Sequence, residues 1–159
     1  MISLDNAYDH DIDKWGECFK KNVRQSCGTI NSKRIFVAEC DHELLALWSH
    51  VLEHIGYEVI ACHAMKNILP AIHWMFAQKT DQSLVDLVIC DVTLLSDVAI
   101  EKIAKKQRIH RFPPLILIVE STNSEMLSRA AELKRNATFD KTFDPLRQLG
   151  VVRQLAPIL

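Results

Sequence analysis

Glycine is scarce in this chain, with four among 159 residues, and none lies between Glu39 and Ile55. A site that holds nucleotide or flavin phosphates on backbone amides needs glycines directly after a strand, so a small flavodoxin-like enzyme or cofactor carrier of the glycine-loop kind is disfavoured. Long apolar runs are missing too: no uninterrupted stretch approaches the roughly 18 residues that span a bilayer. The opening MISLDNAYDHDID is polar and lacks a basic segment followed by an apolar run. A cytoplasmic location without membrane contact is therefore expected. Net positive charge is absent as well. A formal charge of -1 and a pI near 6.6 give no chain-wide field for nonspecific nucleic-acid binding, and no recognisable DNA-binding unit is present. The five cysteines, Cys18, Cys27, Cys40, Cys62 and Cys90, form an odd set without CxxC spacing. Reduced thiols, several within apolar strand-like runs, are expected in place of a disulfide framework.

What is present suits a packed globular fold. Hydrophobic residues make up 48% and charged residues 25%, and the length allows one full core plus an appendage. Residues 1–32 read as that appendage, a helical extension and linker. Trp15, Cys18, Phe19 and Val23 have helical spacing, Asp9, Asp11 and Asp13 favour the positive end of the helix dipole, and SCGTINSK is a polar tether. Residues 33–159 read as the domain.

In that domain, strand-like and helix-like segments alternate. Arg34 to Ala38, Tyr57 to Ala61, Asp86 to Cys90, Leu115 to Val119 and Ala137 to Asp140 are short and largely apolar, as buried parallel strands require. Helices are expected over Glu43 to Ile55, ended by Gly56; about Met65 to Gln78, with Pro70 in its first turn; about Val98 to Ile109, with Val98 and Ile103 as a sparse apolar stripe; Ser124 to Arg135; and after Asp144-Pro145 through Leu149, Val152 and Leu155. The expected fold class is α/β: a doubly wound five-stranded parallel sheet of flavodoxin-like order 2-1-3-4-5 with helices on both faces. Functional residues of such sheets gather beyond the carboxyl ends of the strands.

Those ends carry Glu39-Cys40-Asp41, Asp91, Val119-Glu120-Ser121-Thr122 and Lys141. Acidic groups from neighbouring strands facing one lysine can hold a hard cation through oxygen ligands and neutralise a phosphoryl group. An ionised aspartate there can attack phosphorus. Plainer roles stay open at this point: Asp91 as a cap on the following loop, Lys141 as a surface lysine, and Glu39 and Asp41 as first-turn carboxylates favouring a helix dipole.

The order of these segments resembles the response-regulator receiver family over roughly Lys33 to Leu155. KRIFVAECDHELLALWSHVLEHIGYEVIA is similar to its first β-α-β unit, DLVICDVTL to its phosphoacceptor strand, PPLILIV to its fourth strand, and FDKTFDP to its lysine segment. The resemblance implies a role in two-component signal transduction as a non-enzymatic module. A histidine kinase or phosphotransfer protein would load a phosphoryl group onto Asp91 with Mg²⁺ bound, and output would pass through contacts with another regulator or a second copy in a homodimer. By position it implies Asp91 as phosphoacceptor, Lys141 as the phosphate-pairing lysine, and Glu39, Asp41, Asp91 and the Thr93 backbone carbonyl as metal ligands.

The departures from the family pattern fall on the same site. Cys40 stands where the second acidic residue is expected, and a thiol is a poor Mg²⁺ ligand; Asp41, the next residue, has a side chain pointing the other way on extended backbone. Weakened Mg²⁺ binding follows. Val119 replaces the switch Ser or Thr, with Ser121 as a stand-in, Thr138 replaces the switch aromatic, Thr142 replaces the proline after the lysine, and LLSD at Leu94 to Asp97 lacks the usual Pro and Gly. Together they describe an atypical or degenerate receiver, with a phosphorylation-independent pseudo-receiver as the alternative and a thiol redox sensor on Cys40 as a weaker one. Elsewhere, His50 and His54 share a helix face at i, i+4 and are expected to be exposed, and Lys102, Lys105, Lys106, Arg108 and Arg111 form a solvated or partner-binding face.

Overall fold

The computed structural model describes residues 2–3, 32–63, 68–75, 84–109, 112–120, 124–142 and 144–158. The strands are β1 (Ile2–Ser3), β2 (Arg34–Glu39), β3 (Glu58–His63), β4 (Leu87–Asp91), β5 (Leu115–Val119) and β6 (Ala137–Asp140). They form one six-stranded sheet of order β1-β3-β2-β4-β5-β6, and every pairing is parallel. Strands β2 to β6 reproduce the expected 2-1-3-4-5 order. Ile2 and Ser3, assigned from the sequence to the extension, instead add a sixth strand at the edge beside Ile60 and Ala61. The helix expected around Trp15 and Phe19 lies outside the described residues.

The helices are α1 (His42–His54), α2 (Leu69–Met75), α3 (Asp97–Arg108), α4 (Ser124–Ala130) and α5 (Pro145–Leu155). Alternation along each strand sends successive side chains to opposite faces, and the sheet accordingly separates two cores. Ile35, Val37, Ile89, Ile116 and Ile118 pack under α1 and α5 with Trp48, Leu52 and Val152. Phe36, Ala38, Val88, Cys90 and Leu117 pack under α2, α3 and α4 with Ile72, Met75, Ile100 and Ile103. The buried face of α3 is Ala99, Ile100, Ile103 and Ala104, whereas Val98 is 52% exposed; alanines carry a face that the spacing of large residues alone assigns to Val98.

Local signals explain the element ends. Asp41 caps α1 by accepting from the amides of Glu43 and Leu44, Ser96 caps α3, and Asp144 caps α5 with Pro145 at its start, the first-turn position where a missing N–H costs nothing. Gly56 leaves α1 at φ 101°, a left-handed conformation that glycine adopts without a Cβ clash. Helix α4 stops at Ala130, short of the expected Arg135. The amides of Ala131 and Leu133 turn onto the carbonyls of Ser128 and Ala130, and Asn136 ties to Leu115 through both its amide and its Oδ1.

The last helix is fixed to the first β-α-β unit by a buried hydrogen bond in which the Tyr57 hydroxyl donates to the Ala156 carbonyl at 2.7 Å. Tyr57→Phe removes the donor and leaves a buried acceptor, an expected cost of about 1–2 kcal/mol. Thermal melts check this as a midpoint lowered by about 4 °C; an unchanged midpoint refutes the tie.

Candidate functional site

Because all the strands run parallel, their carboxyl ends share one edge, and the register aligns Glu39 with His63, Asp91 with Ile118 and Val119 with Asp140. One further ladder bond, from the Lys141 amide to the Val119 carbonyl at 2.8 Å, brings Lys141 to the same edge. Thr142 fixes the turn there by donating from its amide and hydroxyl to Asp140 Oδ1.

Glu39 is 0% exposed and Asp91 1% exposed. Lys141 Nζ donates to Asp91 Oδ2 at 2.6 Å and lies 2.8 Å from Glu39 Oε1. The Cys40 thiol donates to Asp91 Oδ2 at 3.0 Å, lies 3.5 Å from Glu39 Oε1, and receives Lys141 Nζ at 3.3 Å. Asp91 Oδ1 accepts from the Thr93 amide at 2.9 Å, so Asp91 also caps the short 3-10 turn Val92–Leu94. The cap role and the site role are therefore held by one side chain.

Burial opposes charge on all of these groups, and their hydrogen bonds decide the outcome. Desolvation holds the Glu39 carboxyl above its usual range despite Lys141 and the Asp41 amide. For Asp91, burial is outweighed by hydrogen bonds from Cys40, Lys141 and the Thr93 amide, and its pKa is lowered. Burial likewise opposes charge on Lys141, yet bonding to Asp91 and Glu39 raises its pKa. The Cys40 thiol is pushed up by burial and by its bond to Asp91. The resting site is an ionised Asp91 paired with an ammonium, beside a protonated thiol.

The sequence candidates thus divide. Glu39, Asp91 and Lys141 come together, while Asp41 is exposed and its Oδ1 serves α1 as the N-cap. Thr93 contributes its amide and places its hydroxyl 3.8 Å from the Cys40 sulfur. Val119 is buried in the core under α3 and α4, Thr138 is exposed, and Ser121 lies outside the described residues. The loop without Pro and Gly is held by buried Leu94 and Leu95 and by Arg129, which donates to the Leu95 carbonyl at 3.1 Å and pairs with Asp97 at 2.7 Å. Neither Arg129 nor His63 is evident as a site neighbour from the sequence. His63 Nε2 is 3.0 Å from the Cys40 carbonyl, and the strand-end alignment with Glu39 is the signal that marks it. His50 and His54 are exposed and stacked. Cys40, Cys62 and Cys90 are free thiols, the buried Cys62 pushed up to about 12 by desolvation; Cys18 and Cys27 lie outside the described residues.

No family model and no curated protein sequence matches the chain. Solved structures do. A CheY-like response regulator receiver domain protein from Methanospirillum hungatei aligns with a TM-score of 0.60 at 18% identity, covering 77% of this chain and 92% of that one. The signal receiver domain of an HD domain-containing protein from Pseudomonas fluorescens gives 0.60 at 16% identity over 78% and 94%. The chemotaxis response regulator CheY4 of Vibrio cholerae gives 0.57 at 19% identity over 78% and 98%. The fold is that of receiver domains. Among the described residues, no helix of this receiver fold is long and apolar enough to cross a membrane.

Receiver domains bind Mg²⁺ at acidic residues, and the corresponding cluster here is Glu39, Cys40 and Asp91. That donor set fits Mg²⁺ poorly. Magnesium demands hard oxygen ligands in near-octahedral array, and one of the three positions is a thiol. The second acidic side chain, Asp41, is committed to the helix cap.

Proposed function

We propose that this chain is an atypical receiver module of two-component signalling, not an enzyme, that works in the cytoplasm through protein contacts and retains Asp91 as its phosphoacceptor. The observation carrying this reading is the bridge of Lys141 Nζ between Asp91 and Glu39 at the carboxyl edge of the sheet. It keeps Asp91 ionised and provides a cation for incoming phosphoryl oxygens. In the transfer, an Asp91 carboxylate oxygen forms the bond to phosphorus. The P–N bond of a donor phosphohistidine, or the P–O bond of acetyl phosphate, breaks, and its electron pair leaves with the donor. Lys141 follows the added charge. The partners of this reading are a histidine kinase or phosphotransfer protein, another regulator, or a second copy of the chain.

A specific contact favours the second reading, a pseudo-receiver signalling without phosphate. The Cys40 thiol occupies Asp91 Oδ2 at 3.0 Å, where the nucleophile must meet phosphorus, and Asp91 is almost wholly buried. Incubation with acetyl phosphate and Mg²⁺ followed by intact-mass measurement separates the two. The proposal expects a slow single phosphoryl adduct in the wild type, none in Asp91→Asn, and faster formation in Cys40→Asp. No wild-type adduct at saturating Mg²⁺ decides for the pseudo-receiver.

A further inference from the structure

The mismatch of this pocket with magnesium has a chemical direction. From the donor set and its spacing we infer that Glu39, Cys40 and Asp91 form a binding site for a thiophilic divalent cation of the zinc class. This goes beyond phosphoryl transfer and does not require it.

The candidate ligand atoms lie within 4.8 Å of one another. Around tetrahedral zinc, bonds of 2.0–2.3 Å place a sulfur and an oxygen ligand about 3.5 Å apart. Cys40 Sγ lies 3.5 Å from Glu39 Oε1 and 3.0 Å from Asp91 Oδ2, so small adjustments give two edges of such a tetrahedron. Softness selects the ion, because a thiolate favours zinc over magnesium.

A second, independent feature points to a missing ligand. Glu39 Oε2 is buried without a hydrogen-bond partner, and an unmet acceptor of this kind carries the full desolvation cost. Coordination through both oxygens of the Glu39 carboxylate, Oε2 together with Oε1, meets it. A cation already stands among these donors: Lys141 Nζ lies 2.8 Å from Glu39, 2.6 Å from Asp91 and 3.3 Å from the Cys40 sulfur. Its side chain remains 23% exposed and has solvent to swing into when an ion enters. Charge also balances. With the thiol proton released to solvent, three anions face a divalent ion and the Lys141 ammonium, for a sum of zero; water completes the coordination.

Co²⁺ is the probe, added to the full chain under a non-thiol reductant. The expected result is a single tightly bound equivalent with a near-ultraviolet thiolate-to-metal charge-transfer band, displaced by Zn²⁺ and unaffected by a large excess of Mg²⁺. Cys40→Ser loses the band while Cys18, Cys27, Cys62 and Cys90 remain. No band in the wild type, or a band surviving in Cys40→Ser, overturns the assignment. The exposed pair His50 and His54 adds no thiolate signal. A measurement needing no variant runs beside it: Zn²⁺ slows alkylation of Cys40 in the wild type by roughly tenfold or more, since the bound thiolate is withdrawn from reaction, and Mg²⁺ does not. Equal Cys40 rates with and without Zn²⁺ overturn the inference.

Discussion

Trp48→Ala lowers the unfolding free energy by about 3–5 kcal/mol, the range for removing a large aromatic side chain from a close-packed core. Trp48 is fully buried and stacks on Phe139 with ring centroids 6.0 Å apart and planes 8° from parallel. It projects from α1, early in the domain, onto β6, near its end. Val152 of α5 lies in the same core, so the cavity opens where the first and last β-α units meet. Denaturant melts give the free energy directly, and the thermal midpoint falls on the order of 10 °C. Trp48→Phe keeps an aromatic surface and loses much less. A loss under about 1 kcal/mol for Trp48→Ala contradicts the packing described here.

The same α1–β6 contact shows what the sequence makes legible. Leu45, Trp48 and Leu52 announce a helix face by period, and β5 is readable to the residue because its run is apolar to the end; the bounds of β6 hold as well, although Thr138 and Asp140 break its apolar pattern. The strands that build the site are harder. β2, β3 and β4 run through Glu39, His63 and Asp91, and these polar residues look like the start of a loop although they are paired or continue the strand at the sheet edge. Function is placed where strand pattern fades. α4 fails differently: Ala131 to Arg135 are good helix formers, yet burial of Leu133 and the clasp of Asn136 on Leu115 draw the chain out of the helix. Tertiary contacts override propensity there.

The site itself was legible in position and only partly in role. Sequence order puts Glu39, Asp91 and Lys141 on one edge, but the division of labour between Glu39 and Asp41 depends on which carboxylate finds the free amides of α1. Asp41 does, and its Oδ1 is committed to Glu43 and Leu44. The contacts of the Cys40 sulfur likewise cannot be read from its place in the chain. Only the folded arrangement puts it against Asp91, Glu39 and Lys141 at once.

Lys141→Met leaves two buried carboxyl groups facing one another without their cation. Breaking a buried ion pair from one side costs about 3–5 kcal/mol, and the lower end is expected here because Lys141 is partly open to water. The pH dependence is the sharper test. Lys141, with its pKa raised in the fold, contributes stability that is fully present below its unfolded pKa of about 10.4 and is lost as pH rises through its folded value. At neutral and acid pH the wild type therefore keeps this contribution. Asp91, with a lowered pKa, stabilises the fold above its unfolded pKa and loses that contribution as pH falls through its folded value. Glu39, already raised by burial, acts in the opposite sense: its charge increasingly disfavours the fold as pH rises. Without Lys141 the Glu39 carboxyl loses the bond that most opposes its upward shift, Asp91 keeps only the bonds from Cys40 and the Thr93 amide to hold its pKa down, and proton uptake relieves the variant in acid. The stability gap between wild type and Lys141→Met is accordingly largest near pH 7.5 and narrows towards pH 5. Denaturant melts at the two pH values measure it. Adding Asp91→Asn to Lys141→Met removes one of the stranded charges and recovers about 1–2 kcal/mol at neutral pH, a non-additivity expected of groups in direct contact. A gap independent of pH, together with strictly additive losses, is incompatible with a lysine that holds both carboxylates.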